Sequence, residues 1–139
     1  MDNNRALNYL ALGKKGRLIE LGEEPVGAVT RAIKGRLVIV ASDASDHTWR
    51  RAKSFVAGTE QQCIRVPFTK EEMGFVVGRT SLAIAAFTDA ALALAFVKAL
   101  PNAEKFAEVI ANLDTKAQKL RQRKDEAKAH QRNIRKGKK

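Results

Sequence analysis

At 139 residues the chain has room for one domain and an extension, and its 45% hydrophobic content excludes a wholly disordered polymer. Its net charge of +11 makes nucleic acid the leading class of partner, because neutralised phosphates release counterions, with anionic membrane second. A single cysteine, Cys63, excludes an intrachain disulfide and reads as a small apolar strand residue.

Residues 3–12 place Ala6, Leu7, Leu10 and Ala11 on one face, which predicts a short amphipathic helix capped by Asn3 or Asn4. Gly13 and Gly16 then bracket Lys14 and Lys15 in a turn that presents cations. Leu18, Ile19 and Leu21 predict a short strand ending at Gly22. Pro25 suits the first turn of a helix, where its missing N–H costs little. That helix should run to about Lys34 with Val29, Ala32 and Ile33 inward. The β-branched run over residues 36–41 predicts a central strand covered on both faces. Residues 42–46 are capping types ahead of a helix over residues 47–57.

Residues 62–66 form a second short strand, stopped by Pro67. Thr69 and Glu72 make a capping box for a helix to about Val77. Residues 82–87 are a third strong strand, and Thr88 or Asp89 caps a helix over residues 90–99 that Pro101 breaks. Strands alternating with helices predict an α/β fold: a three-layer α/β/α sandwich with a small mixed sheet. Beyond Pro101 another helix carries Phe106, Val109, Ile110 and Leu113 as one stripe, able to dock on the body or on a partner, with Leu120 a weak continuation. The domain is therefore expected over residues 1–100 and a basic C-terminal extension, helical or disordered, over residues 101–139.

The charge is unevenly spread. Residues 113–139 hold 11 Lys/Arg against 3 Asp/Glu, whereas the preceding 112 residues hold 15 against 12. Lys116, Lys119, Arg121, Arg123, Lys124, Lys128, Arg132, Arg135, Lys136, Lys138 and Lys139 are interrupted by no aromatic residue. Such a tail grips phosphate without a base-stacking platform, or serves only as a solvated, solubilising segment.

No constellation for catalysis emerges. Ser42, Asp43, Ser45, Asp46 and His47 cluster, but helix capping explains them without a nucleophile elbow. The two histidines and Cys63 lack metal-ligand spacing, so no metal and no cofactor is expected. Glu71-Glu72 and Glu23-Glu24 sit at helix starts, where acids meet the helix dipole favourably. Gly74 and Gly78 do not form a phosphate-binding loop of standard spacing. The N-terminus has no apolar signal core, and the longest apolar stretch, residues 82–97, is interrupted by Thr88 and Asp89. A soluble, cytoplasmic, non-enzymatic protein is expected.

The stretch Gly22-Glu23-Glu24-Pro25-Val26-Gly27-Ala28-Val29-Thr30-Arg31-Ala32-Ile33-Lys34-Gly35-Arg36, running into Leu37-Val38-Ile39-Val40-Ala41-Ser42-Asp43-Ala44-Ser45, resembles the core of the kink-turn-binding ribosomal protein family. This is the L-seven-Ae / L-thirty-e superfamily. Glu72-Met73-Gly74, Gly78-Arg79-Thr80-Ser81 and the strand over residues 82–87 are similar to that family's second RNA-facing loop and last strand. The likeness spans roughly residues 3–100 and is nearest to the bacterial YlxQ-like branch, with its Gly-Glu-Asp/Glu sequence, Asp-Ala-Ser turn and strand ending in Thr-Asp.

The resemblance implies an α/β/α sandwich that binds structured RNA, ribosomal RNA foremost. The family's Gly-x-Asn-Glu-x-x-Lys motif maps onto Gly22, with Glu24 in place of Asn, Pro25 in place of Glu and Ala28 in place of Lys. Ionised Glu24 only accepts hydrogen bonds and repels phosphate. Pro25 offers no polar side chain, and Ala28 no cation. Glu23 and Glu24 therefore read equally as base contacts or as a plain acidic helix start.

The second loop maps onto Gly78, Arg79, Thr80, Ser81 and Leu82, with Leu82 beside an extruded nucleotide and Arg79 on phosphate or a base. Lys14, Lys15 and Arg17, together with Arg31, Lys34 and Arg36, would form a phosphate-binding rim beside Gly22. Arg50, Arg51 and Lys53 fall on another helical face. Lys119, Arg121, Arg123, Lys124, Lys128, Arg132, Arg135 and Lys136 would add tail contacts to phosphate. The expected state is a monomer, with RNA and a ribosomal or translation-related protein as partners and no membrane. Two other readings remain: a protein-interaction module docking through the 106–113 stripe, and a non-specific nucleic-acid binder acting through the tail.

Overall fold

The computed structural model describes residues 2–137, with side chains described over residues 5–129. Its elements follow as α1 (Asp2–Lys15), β1 (Ile19–Leu21), α2 (Glu23–Arg31), β2 (Leu37–Val40), α3 (Asp46–Val56), β3 (Cys63–Arg65), α4 (Lys70–Val76), β4 (Ile84–Phe87), α5 (Ala90–Lys98), a short 3₁₀ turn (Ala103–Phe106) and α6 (Ala107–Gly137). The strands form one mixed sheet in the order β1-β4-β2-β3. β4 pairs antiparallel with both β1 (Ile19 opposite Phe87) and β2 (Val40 opposite Ile84), and β2 pairs parallel with β3 (Val38 beside Cys63).

Every residue of β2 and β4 is buried, as their unbroken apolar runs require of strands covered on both faces. α2 packs with α3, and α1 with α4 and α5. Phe96 of α5 sits 5.1 Å from Phe87 and 6.4 Å from Phe68, ring centre to ring centre, at the middle of the core. Leu113 is fully buried and Ala117 nearly so, which seats the first turns of α6 against α5. Phe106, Val109 and Ile110 are half-buried against the same core, so α5 and the body are what cover this stripe. Burial of Leu113 alone contributes about 1.5–3 kcal/mol to that docking. Residues 118–129 of α6 are exposed throughout.

Capping chemistry places most helix starts as expected. Ser45 caps α3 by accepting from the Thr48 N–H, Thr69 and Glu72 form the capping box of α4, and Asp89 caps α5. Asp43 accepts instead from the Lys70 N–H at 2.8 Å, tying the β2–α3 loop to α4.

The ends of α1 and α2 correct the sequence expectations. α1 begins at Asp2, so Asn3 and Asn4 lie within it, and their side chains fall outside those described. It also runs through Gly13 to Lys15, so Lys14 and Lys15 form its last turn instead of a glycine-bracketed loop. Gly13 is buried there because a Cβ would lie only 3.1–3.2 Å from Ile19 and Leu92. The left-handed residue that ends α1 is Arg17 (φ 59°), with Leu18 N–H donating back to Gly13 and Arg17 N–H to Lys14.

α2 ends the same way on Ile33 (φ 57°), with Lys34 N–H donating to Val29 and Ile33 N–H to Thr30. The buried face of α2 is accordingly Val26, Gly27 and Thr30, whereas Ala32 and Ile33 are exposed. A β-branched residue at positive φ is strained by roughly 1–2 kcal/mol. Because Ile33 buries little, Ile33→Gly is expected to raise unfolding stability by about 0.5–1 kcal/mol in urea titration, net of glycine's greater chain entropy.

Gln61, buried, ties α2 to β3. Its carbonyl accepts from Gly35 N–H at 2.8 Å and its amide donates to the Thr30 carbonyl at 3.0 Å. Gln61→Leu strands the buried Gly35 N–H, while the Thr30 carbonyl keeps the Ile33 N–H, and is expected to cost about 1–3 kcal/mol by the same titration.

Candidate nucleic-acid interface

β1 and β2 leave the sheet at the same end. There Gly22 N–H donates to the Ile84 carbonyl at 3.0 Å and Ala41 N–H to the Ala83 carbonyl at 2.9 Å. Gly22 adopts φ 99°, ψ 162°, a region essentially reserved for glycine, and this turn aims α2 away from the strand. No side chain caps α2 at Gly22, and its first turn carries Glu23 and Glu24.

The α4–β4 loop arrives at the same place. α4 ends in a Schellman motif: Gly78 (φ 76°) donates to Phe75 and Arg79 N–H to the Gly74 carbonyl at 2.8 Å. Arg79 is then laid across the β1–α2 junction, where a Cβ on Gly22 would lie 3.6 Å from its Nη1. The end of α1 joins them, since Lys14 Nζ donates to the Val77 carbonyl and sits 3.4 Å from where a Cβ on Gly78 would be. Gly22, Gly78, Arg79 and Lys14 are thus brought together, with Thr80 and Ser81 exposed on the loop.

Other expected site residues fall elsewhere. Leu82 is buried, its N–H bonded to the Lys70 carbonyl, so its side chain belongs to the core and presents nothing to a ligand. Arg36 enters β2 with its N–H on the Phe87 carbonyl, at the sheet end opposite Gly22. Lys34 lies just beyond the far end of α2. Neither joins a rim beside Gly22, because each lies an element's length from it. Lys15 and Arg17 are exposed around the end of α1, and Arg31 lies at the C-terminal turn of α2. Lys119, Arg121, Arg123, Lys124 and Lys128 project from the exposed part of α6. Arg132, Arg135 and Lys136 lie on α6 with side chains outside those described, and Lys138 and Lys139 lie outside the described residues.

Arg51, set aside in the sequence, belongs to this region. Its Nε lies 2.5 Å from Glu23 Oε1, and its guanidinium stacks over Phe55 at 4.9 Å. Glu23, Glu24, Gly27, Arg31, Arg51 and Phe55 line a cleft of about 410 Å³ between α2 and α3. α2 and α3 approach this closely because Gly27 carries no side chain: a Cβ there would meet Phe55 at 3.2 Å. No sequence spacing announces the Glu23–Arg51 pair, which joins residues 28 apart.

Elsewhere Arg65 and Lys53 stack on Trp49 at 5.1 and 5.8 Å. Burial pushes the Cys63 thiol above its ordinary range, against the pull of Lys53. Among the described residues no group of three or more His, Cys, Asp or Glu could hold a metal, and no helix is long and apolar enough to cross a membrane.

The loop's position rests on Gly74. A Cβ there would lie 2.8 Å from the Arg79 carbonyl oxygen and the Ser81 nitrogen, both backbone. Gly74→Ala is therefore expected to push residues 79–81 off α4 and cost roughly 1–3 kcal/mol. Amide chemical shifts check it; unchanged shifts over residues 78–82 would contradict it.

No family model matches the chain, and no curated protein matches it. Solved structures share its fold. A protein of unknown function from Bacillus halodurans superposes with a TM-score of 0.59 at 22% identity, covering 77% of this chain and 97% of that one. The 15.5 kD RNA-binding protein of Giardia lamblia superposes with a TM-score of 0.59 at 16% identity, covering 76% of this chain and 90% of that one.

Proposed function

We propose that this chain binds structured RNA without catalysis, as a member of the kink-turn-binding ribosomal protein family in its YlxQ-like branch. The binding end is the one where Gly22, Lys14 and the loop over residues 78–81 converge. Residues 1–100 are the recognition domain and residues 101–139 a basic extension that adds phosphate contacts. Ribosomal RNA in the cytoplasm is the natural target, and a ribosomal or translation-related protein a further partner.

The observation that carries this reading is Arg79 lying across Gly22. Two loops more than 50 residues apart, each resembling an RNA-facing stretch of that family, are packed into one surface. The shared fold with an RNA-binding protein supports it. Chemistry narrows what the surface reads. Glu23 is already engaged by Arg51, which leaves Glu24 as the free acceptor of the first turn, able to take guanine N–H donors. Arg79 supplies the opposing charge for the phosphate beside it.

Binding to kinked and to plain duplex RNA of equal length, measured at several salt concentrations, tests the proposal. The kinked RNA is expected to bind tighter, and Arg79→Gln to weaken it about tenfold, the scale of one charge-assisted contact. Equal affinity for both RNAs would end the structured-RNA reading, and equal affinity for DNA would leave only a non-specific binder.

A further inference from the structure

The cations that fail to reach Gly22 are not scattered. Arg36, at the start of β2, faces α6, where Lys116, Lys119 and Arg123 recur at helical spacings of three and four. With Ala90 and Leu120 these residues line a cleft of about 180 Å³ between α6 and the body. The cluster is held in place: Lys116 adjoins buried Ala117, one turn beyond Leu113, so the docking of α6 sets the cations against Arg36.

Among the described residues none of the four forms an ion pair. The nearby acids are few. Glu60 acts on Lys116 from a distance, and Glu126 shares the next cleft with Lys119 and Arg123. Burial, then repulsion from Arg36, holds the Lys116 ammonium below its ordinary range. Crowded, unpaired cations are destabilised until an anion joins them. Beyond the cleft α6 continues as an exposed cationic ridge with Arg121, Lys124 and Lys128, which suits a polymer of phosphates better than a lone small anion.

The location is as informative as the charge. Gly22 bonds the Ile84 end of β4 and Arg36 the Phe87 end. The two surfaces are therefore at least about 10 Å of strand apart, at opposite ends of the sheet.

We propose that Arg36, Lys116, Lys119 and Arg123 form a second phosphate-binding site, built jointly by β2 and α6, which takes the backbone of a second RNA segment while the Gly22 end holds the first. That the second ligand is RNA rests on the function proposed above; the cleft's affinity for phosphate does not. The chain would then bridge two segments of one folded RNA.

The test uses the full chain and a plain RNA duplex, with binding followed against salt. Arg36→Gln, which leaves α6 untouched, is expected to lower the slope of log K against log salt by roughly 0.9, and Arg36→Gln/Lys119→Gln/Arg123→Gln by roughly 2.7. Lys53→Gln, an equal charge change on α3, is expected to leave the slope unchanged. Energy transfer between differently labelled kinked and plain RNAs is expected with the wild-type chain and is lost in the triple variant, whose preference for kinked RNA persists. Unchanged slopes in the Arg36 variants, or a slope lowered equally by Lys53→Gln, would overturn the site. A wild-type chain without kink preference, combined with lowered slopes in the Arg36 variants, would refute the function proposed above and leave this site standing.

Discussion

Strand β4 is four residues long, and both surfaces of interest are placed by it. Its antiparallel pairing with β1 and β2 buries Ile84, Ala85, Ala86 and Phe87 completely or nearly so. At one end the Ile84 and Ala83 carbonyls receive Gly22 and Ala41; at the other the Phe87 carbonyl receives Arg36. A one-residue slip of β4 would turn its side chains to the opposite faces and move these junctions together. Core packing and site geometry are therefore one constraint here, and Phe87 against Phe96 helps to hold the register that sets where Gly22 and Arg36 stand.

Helix endings do the finer positioning. Three helices close with the same hydrogen-bond pattern on a left-handed residue, yet only α4 uses glycine for it; α1 uses Arg17 and α2 uses Ile33. The cost at Arg17 and Ile33 is backbone strain, whereas at Gly78 there is none. The unstrained ending belongs to the loop that carries Arg79, and Gly74 lets that loop lie directly on the α4 backbone. A loop so closely seated holds the backbone of Arg79 in one place.

Strands and capped helices were legible in the sequence because local chemistry decides them. The β-branched run of β2, the Thr69–Glu72 box and Ser45 as a cap need no distant partner to be read. Glycine misled at α1, since Gly13 marks a close approach to Ile19 and Leu92 inside the helix and not its end. The inward face of α2 is not legible from spacing, because Ile33 looks like a core residue until the helix stops before it. The convergence of Gly22 with residues 78–81 was legible only through resemblance. What composition and spacing could not supply is strand direction: β1 and β2 run the same way, so residues just before β2 lie far from those just after β1. Arg36 and Lys34 stand away from Gly22 for that reason, and the Glu23–Arg51 pair joins two helices, which spacing along the chain does not announce.

The uneven spread of charge over the surface follows from these placements. At the Gly22 end, Glu23 pairs with Arg51 and Glu24 shares the region with Lys14 and Arg79, so charges of both signs are present. At the Arg36 end and along α6, cations outnumber acids, half-buried at Arg36 and Lys116 and exposed from Lys119 onward. A surface of mixed sign offers acceptors as well as donors, while one of a single sign attracts any phosphate backbone with a steep salt dependence. The two stand at opposite ends of the sheet, joined through a docked helix. On the function proposed above, the tail's charge would add affinity at a fixed distance from the Gly22 end, because Leu113 and Ala117 anchor α6 to the body that carries Gly22.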